Sequence, residues 1–168
     1  MESTRRRVLS IGGLAVSGGL AGCTTDDDTG TDDWAWDGTV PVDRVTQYHQ
    51  PSCGCCREYV EYLEGNGLTV VIEEINDFDR FTRTKADLGV PAEVRSCHTV
   101  EVGEYLVEGH VPLGAIESLF EATPSVRGIA IPGMPQHAPG MGPPGDEPLP
   151  VYSFDRTGET ATFLEDAR

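Results

Sequence analysis

The chain has 168 residues, with 28 Asp and Glu against 12 Lys and Arg, a formal net charge of −16. So acidic a balance argues against nucleic acid and anionic membrane as partners, and fits a halophile, whose proteins stay hydrated in high salt. Outside its first residues the length suffices for one domain with a real core.

Arg5, Arg6 and Arg7 precede a short, weakly apolar run at 8–21 that is too short to span a bilayer. Paired arginines before so mild a run predict twin-arginine export. Leu20-Ala21-Gly22-Cys23 reads as a lipobox, with Cys23 as the lipidated first residue of the mature chain. Removing the signal at 1–22 takes away three Arg and one Glu, which leaves a net charge of about −18. The expected location is the outer face of the cell membrane, with attachment through lipid only. Residues 23–39 read as an acidic, disordered tether, with docking of Trp34 and Trp36 on the domain or on the membrane as the alternatives.

The domain is expected over 40–168. Alternation at 45–49 predicts a strand. Residues 57–64 read as a helix with Tyr59, Val60 and Leu63 inward and Gly65-Asn66-Gly67 as its stop. A second strand follows at 68–75 and a second helix over 78–88, ended by Gly89 with Pro91 beyond. Strands at 99–102 and 105–108 flank Gly103-Glu104, a hairpin signal. A third helix follows at 112–122 with Pro112 in its first turn. Residues 123–150 form a loop rich in Pro and Gly, with three Met in the chain as a whole, two of them here. A last hairpin spans 151–164 and turns at Arg156-Thr157-Gly158. The order β-α-β-α-β-β-α, with cysteines between the first strand and first helix, predicts an α/β fold of thioredoxin-like type, a mixed central sheet flanked by helices. In that arrangement Cys97 enters the third strand facing the cysteine loop.

Four motifs carry a family resemblance. They are CGCC at 53–56, LGVPAEVRSCHT at 88–99, EGHVP at 108–112 and IPGMPQHAPGM at 131–141. In these the chain resembles the DUF411 family, a metal-binding group that includes CopG-type proteins associated with copper resistance. The resemblance spans about 45–165. It implies a thioredoxin-like fold and a role in handling copper or a related soft metal. The tether and lipobox depart from the family pattern, and His137 stands where a small residue is common.

The residues themselves point to soft-metal or redox chemistry. Cys53, Cys55 and Cys56 fall within four positions, and Cys97 is the fourth cysteine beyond the lipobox. Thiolates select Cu(I), Zn or Fe–S over hard cations. Cys55 and Cys56 open a helix beside Arg57, where the dipole and the charge stabilise thiolate. Cys53 and Cys56 have the spacing to bite a Zn ion with Cys97, which leaves Cys55 surplus. Crowded, bridging thiolates suit Cu(I), so copper is the expected metal, with Zn or Fe–S as alternatives. The other readings of the cysteines are a pair of structural disulfides in an exported domain, and a thiol–disulfide or copper oxidoreductase using Cys53, Cys56 and Cys97.

Outside the cysteines, His98 adjoins Cys97, but successive strand side chains point to opposite faces. His110 reads either as a ligand or as a cap before the third helix, and His49 is open. In the Pro-rich loop, Met134, His137 and Met141 are soft or borderline donors; the alternative is a surface loop with Met as core filler. Expected partners are copper ion and a copper transporter, chaperone or redox protein. No nucleotide, nucleophile-elbow or HExxH motif is present.

Overall fold

The computed structural model describes residues 34–168. The export signal, the lipobox at Cys23 and the tether up to residue 33 lie outside the described residues. No helix among the described residues is long and apolar enough to cross a membrane.

The described residues fold into one seven-stranded mixed sheet with three helices. Strand β1 (Arg44–His49) is followed by helix α1 (Gly54–Gly65) and strand β2 (Thr69–Glu74). Helix α2 (Phe78–Leu88) leads through a 3₁₀ turn at Ala92–Val94 to β3 (His98–Val102) and β4 (Tyr105–Glu108). Helix α3 (Leu113–Ala122) precedes β5 (Gly128–Ala130), and β6 (Val151–Phe154) pairs with β7 (Thr160–Leu164). The sheet order is β2-β1-β3-β4-β5-β6-β7, parallel at β1/β2 and β4/β5 and antiparallel elsewhere.

Local chemistry explains the boundaries. Asp77 caps α2 by accepting from the Arg80 backbone N–H at 2.7 Å, and Gly89 ends it at φ +95°, a left-handed conformation that glycine takes without a Cβ penalty. Helix α1 begins at Gly54, three residues before the expected start, so Cys53 is its N-cap and both Cys55 and Cys56 lie in its first turn. Their side chains gave no apolar periodicity from which that start could be read. Strand β5 was not expected: three residues within a Pro- and Gly-rich stretch are too few to show alternation. It forms because β4 offers an open edge, with Leu106, Val107 and Glu108 opposite Gly128, Ile129 and Ala130. A side chain at Gly128 would strike the Leu106 backbone at its carbonyl.

The two faces of the sheet are filled differently, as the strand period of two requires. On one face Tyr59, Tyr62 and Leu63 of α1 and Leu113, Ile116 and Leu119 of α3 pack on Val45, Val100, Val102, Val107 and Ile129. The other face carries Leu106, Ala130 and Phe154 with Val90 and Val94. The disordered reading of the tether does not hold at Trp34 and Trp36, which dock on the domain. The Trp34 indole N–H donates to the Gly142 carbonyl at 2.8 Å and that of Trp36 to Glu117 at 3.1 Å. Asn66 and Glu117 also accept the backbone N–H groups of Trp36 and Thr39.

Candidate metal centre

The site forms where β1 and β4 end and β3 begins, beside the first turn of α1. Strand β1 delivers the chain into the cysteine loop, and Gln47 on that strand fixes the turn: its amide donates to the Cys56 carbonyl at 2.8 Å and lies 3.0 Å from His49 Nδ1. Cys53 and Cys56 form a disulfide, while Cys55 and Cys97 are free. Cys55 Sγ lies 3.6 Å from Cys53 Sγ and 3.9 Å from Cys97 Sγ. Cys97 therefore reaches the cysteine loop across 42 residues of sequence, as the topology predicted. The alternative reading of a pair of structural disulfides is met only at Cys53–Cys56, since Cys55 and Cys97 remain free thiols.

Two donor groups share one sulfur. The ligand atoms of Cys53, Cys55, Cys56 and Cys97 lie within 4.8 Å of one another, and so do those of Cys97, His98 and His110. His110 Nε2 is 3.1 Å and His98 Nδ1 3.3 Å from Cys97 Sγ. His110 Nδ1 donates to the Pro139 carbonyl at 2.7 Å, which leaves Nε2 with its lone pair toward the sulfur. His98 is fully buried, its ring 4.5 Å from that of Tyr59 and 4.7 Å from that of His110, and its Nε2 has no partner.

The electrostatics favour neutral donors. Burial holds His98 well below the usual histidine range, with the charges of His110 and Lys85 adding to it. Burial also lowers His110, against the opposing bond to Pro139. Burial pushes the Cys97 thiol up to about 12, and Cys55 adds to the rise. Without a cation Cys97 is a thiol near neutral pH. A soft cation displaces that proton and supplies the charge that the buried sulfur lacks. Sulfur and neutral imidazole at one point fit a soft or borderline metal and do not suit Mg²⁺ or Ca²⁺.

The structure brings together Cys53, Cys55, Cys56, Cys97 and His98 from the expected set, and adds His110, whose two readings resolve to a place against Cys97. Sequence gave no way to choose, because the choice depends on the loop at 139, whose carbonyl orients the ring. His49 is buried opposite His98 in the β1/β3 register. The Pro-rich loop stands apart in role. Met134 is 54% exposed, Met141 packs against the core and His137 Nε2 is buried without a partner. Among the described residues His137 belongs to neither donor group. What the loop visibly gives the site is backbone: the Pro139 carbonyl for His110, and the Gly133 carbonyl for the Ser96 hydroxyl.

Fold and site define a class, a mixed α/β domain with a cysteine–histidine cluster whose donors could hold a metal ion. The family described as "Protein of unknown function, DUF411" matches residues 94–141, the stretch that carries Cys97, His98, His110 and the loop. Two solved structures are similar over nearly the whole described chain. One, titled copper resistance protein copG, form 1, is 34% identical, with a TM-score of 0.65, and covers 77% of this chain and 100% of its own. The second, form 2 under the same title, is 35% identical, with a TM-score of 0.62, and covers 73% and 96%. No curated protein sequence matches. The chain belongs to the DUF411 family, as a CopG-like member.

Proposed function

We propose that this protein is an exported, lipid-anchored copper-binding protein that, with the Cys53–Cys56 disulfide reduced, holds Cu(I) at Cys53, Cys55, Cys56 and Cys97, with His98 and His110 as further donors. It acts in copper sequestration, transfer or resistance. The observation that carries this reading is the sharing of the Cys97 sulfur between the four-cysteine group and the two histidines. Bridging sulfur is what Cu(I) accepts and what a closed structural Zn site does not need. The titles of the two similar structures support copper over other soft metals.

A thioredoxin-like fold is part of the same reading. It is supported by the sheet order β2-β1-β3-β4, the element order through α3, and a Cys53–Cys56 disulfide at the start of α1. Arg5 to Arg7 and the lipobox at Cys23 support twin-arginine export and attachment at the outer face of the membrane, and the acidic charge supports a halophilic setting. A transporter, chaperone or redox protein at the cell surface is the partner class that such a role requires.

The disulfide favours a second reading, a thiol–disulfide or copper oxidoreductase. In that chemistry Cys53 and Cys56 thiolates lose two electrons and form the S–S bond. Two Cu(II) ions each take one electron and become Cu(I), and an external thiol reductant restores the pair.

The test is an anaerobic titration of the reduced protein with Cu(I) against a Cu(I) chelator, with Cys55→Ser and Cys97→Ser in parallel. Tight binding that falls in both variants is the expected result. Weak binding unchanged by either substitution overturns the copper reading, as does a strong preference for Zn or a coloured iron–sulfur protein. Disulfide-exchange activity that survives Cys55→Ser points to simple dithiol exchange.

A further inference from the structure

On the sheet face opposite His98, two charged side chains are buried with no part in the donor groups. Lys85 of α2 is 2% exposed and Glu108 of β4 is fully buried. Glu108 Oε1 accepts from Lys85 Nζ and from the backbone N–H of Ser96, each at 2.5 Å, while Oε2 accepts from the Thr99 hydroxyl at 2.5 Å. Lys85 Nζ also donates to the Ser96 carbonyl at 3.1 Å and sits 4.7 Å from the centre of the Phe81 ring.

The geometry converges on one residue. Ser96 lies between the 3₁₀ turn and β3, outside the sheet ladder, so neither its N–H nor its carbonyl has a strand partner. The ion pair takes both. The Ser96 hydroxyl donates to the Gly133 carbonyl, and Gly109 at φ +78° approaches so closely that a Cβ there would lie 2.8 Å from the Ser96 side chain. Ser96 is thus held at its nitrogen, its oxygen and its side chain. The next residue is Cys97.

A buried ion pair is a costly way to fill space, because desolvation offsets much of the attraction and apolar side chains of like volume serve stability as well. Apolar side chains, however, cannot bond the N–H and the carbonyl that flank one residue. We propose that Lys85 and Glu108 are positioning residues for the metal centre: they hold the peptide groups on either side of Ser96, one by its N–H and the other by its carbonyl, and thereby hold the Cys97 sulfur between Cys55 and the two histidines. The clamp's effect on metal rests on the reading of Cys97 as a ligand; its effect on the thiol does not.

The experiment separates the two. In the full chain, with the Cys53–Cys56 disulfide intact, the rate at which iodoacetamide alkylates Cys97 is followed by site-resolved mass spectrometry. The test variant is Lys85→Met/Glu108→Met. The control is Leu119→Ala, a fully buried α3 core residue of the opposite face, compared at equal fractional stability. The expected result is a Cys97 rate at least tenfold faster in the double variant than in the control, and Cu(I) affinity at least tenfold weaker. Equal Cys97 rates at equal stability overturn the proposal. If the double variant does not fold, Lys85→Met/Glu108→Gln, which keeps an acceptor for the Ser96 N–H, takes its place. It should still alkylate at least threefold faster than the control, and a rate equal to the control's overturns the proposal. A parent protein that binds no copper defeats the functional reading alone, and the alkylation rates then decide the clamp.

Discussion

His110 presents Nε2 to the Cys97 sulfur at 3.1 Å because its Nδ1 is committed to the Pro139 carbonyl at 2.7 Å. One residue of a proline-rich loop thus selects the tautomer of a ring that follows β4, and the ring faces a sulfur that precedes β3. Loop, hairpin and cysteine turn meet at a single bond direction.

The first prediction concerns that ring. His110→Ala should weaken Cu(I) binding by about tenfold to a hundredfold, about 1.4 to 2.8 kcal/mol, since a donor is lost while four sulfurs remain. Competition with a Cu(I) chelator measures it. An affinity equal to that of the parent protein would remove His110 from the site.

The loop itself can be moved by one methyl group. A Cβ at Gly140 would lie 2.7 Å from the Tyr59 backbone nitrogen, and its φ is +73°. Gly140→Ala should therefore lose about 2 to 3 kcal/mol of stability, through the clash and the strained backbone together. It should also weaken metal binding through His110. Thermal melts and the same competition assay give both numbers; an unchanged melting temperature would mean that the loop does not rest on α1.

Proton release follows from the raised Cys97 thiol. Its proton, held up to a pKa of about 12, must leave when a cation binds the sulfur. Affinity at Cys97 should rise about tenfold per pH unit between pH 7 and 9 for this proton. Calorimetry in buffers of different ionisation enthalpy counts the protons. Affinity independent of pH would exclude Cys97 as a thiolate ligand.

Stability of the metal-free protein should fall in acid for a related reason. His49, His98 and His110 are each lowered in the fold, burial being the largest cause in every case. Below the ordinary histidine pKa of about 6.5 the unfolded chain binds protons that the fold does not accept. Stability is therefore full above that pH and declines below it, with a limit of about 1.4 kcal/mol per pH unit for each histidine. Denaturant midpoints between pH 7 and 5 test the sign. In His98→Phe the slope should be smaller.

The sequence showed the first half of the fold because its cues are local. Gly89 and Pro91 end α2, Gly103-Glu104 turns the β3/β4 hairpin, and the cysteine motif sits between β1 and α1. It also placed Cys97 at the cysteine loop, because topology alone brings the entry of β3 there. What it did not show depends on contacts that have no local period. Strand β5 exists through the edge of β4. His110 faces sulfur through a carbonyl 29 residues away. Lys85 and Glu108 read as two more charges in an acidic chain, and only the fold buries them together.

The docked N-terminal arm has one more consequence. The chain has two tryptophans, Trp34 and Trp36, and both lie in this arm. The Trp34 indole is bonded to Gly142, three residues beyond the carbonyl that orients His110. The protein's ultraviolet emission thus originates beside the loop that borders its metal centre. Any movement of that loop is written into the colour and intensity of its intrinsic fluorescence, with no label attached.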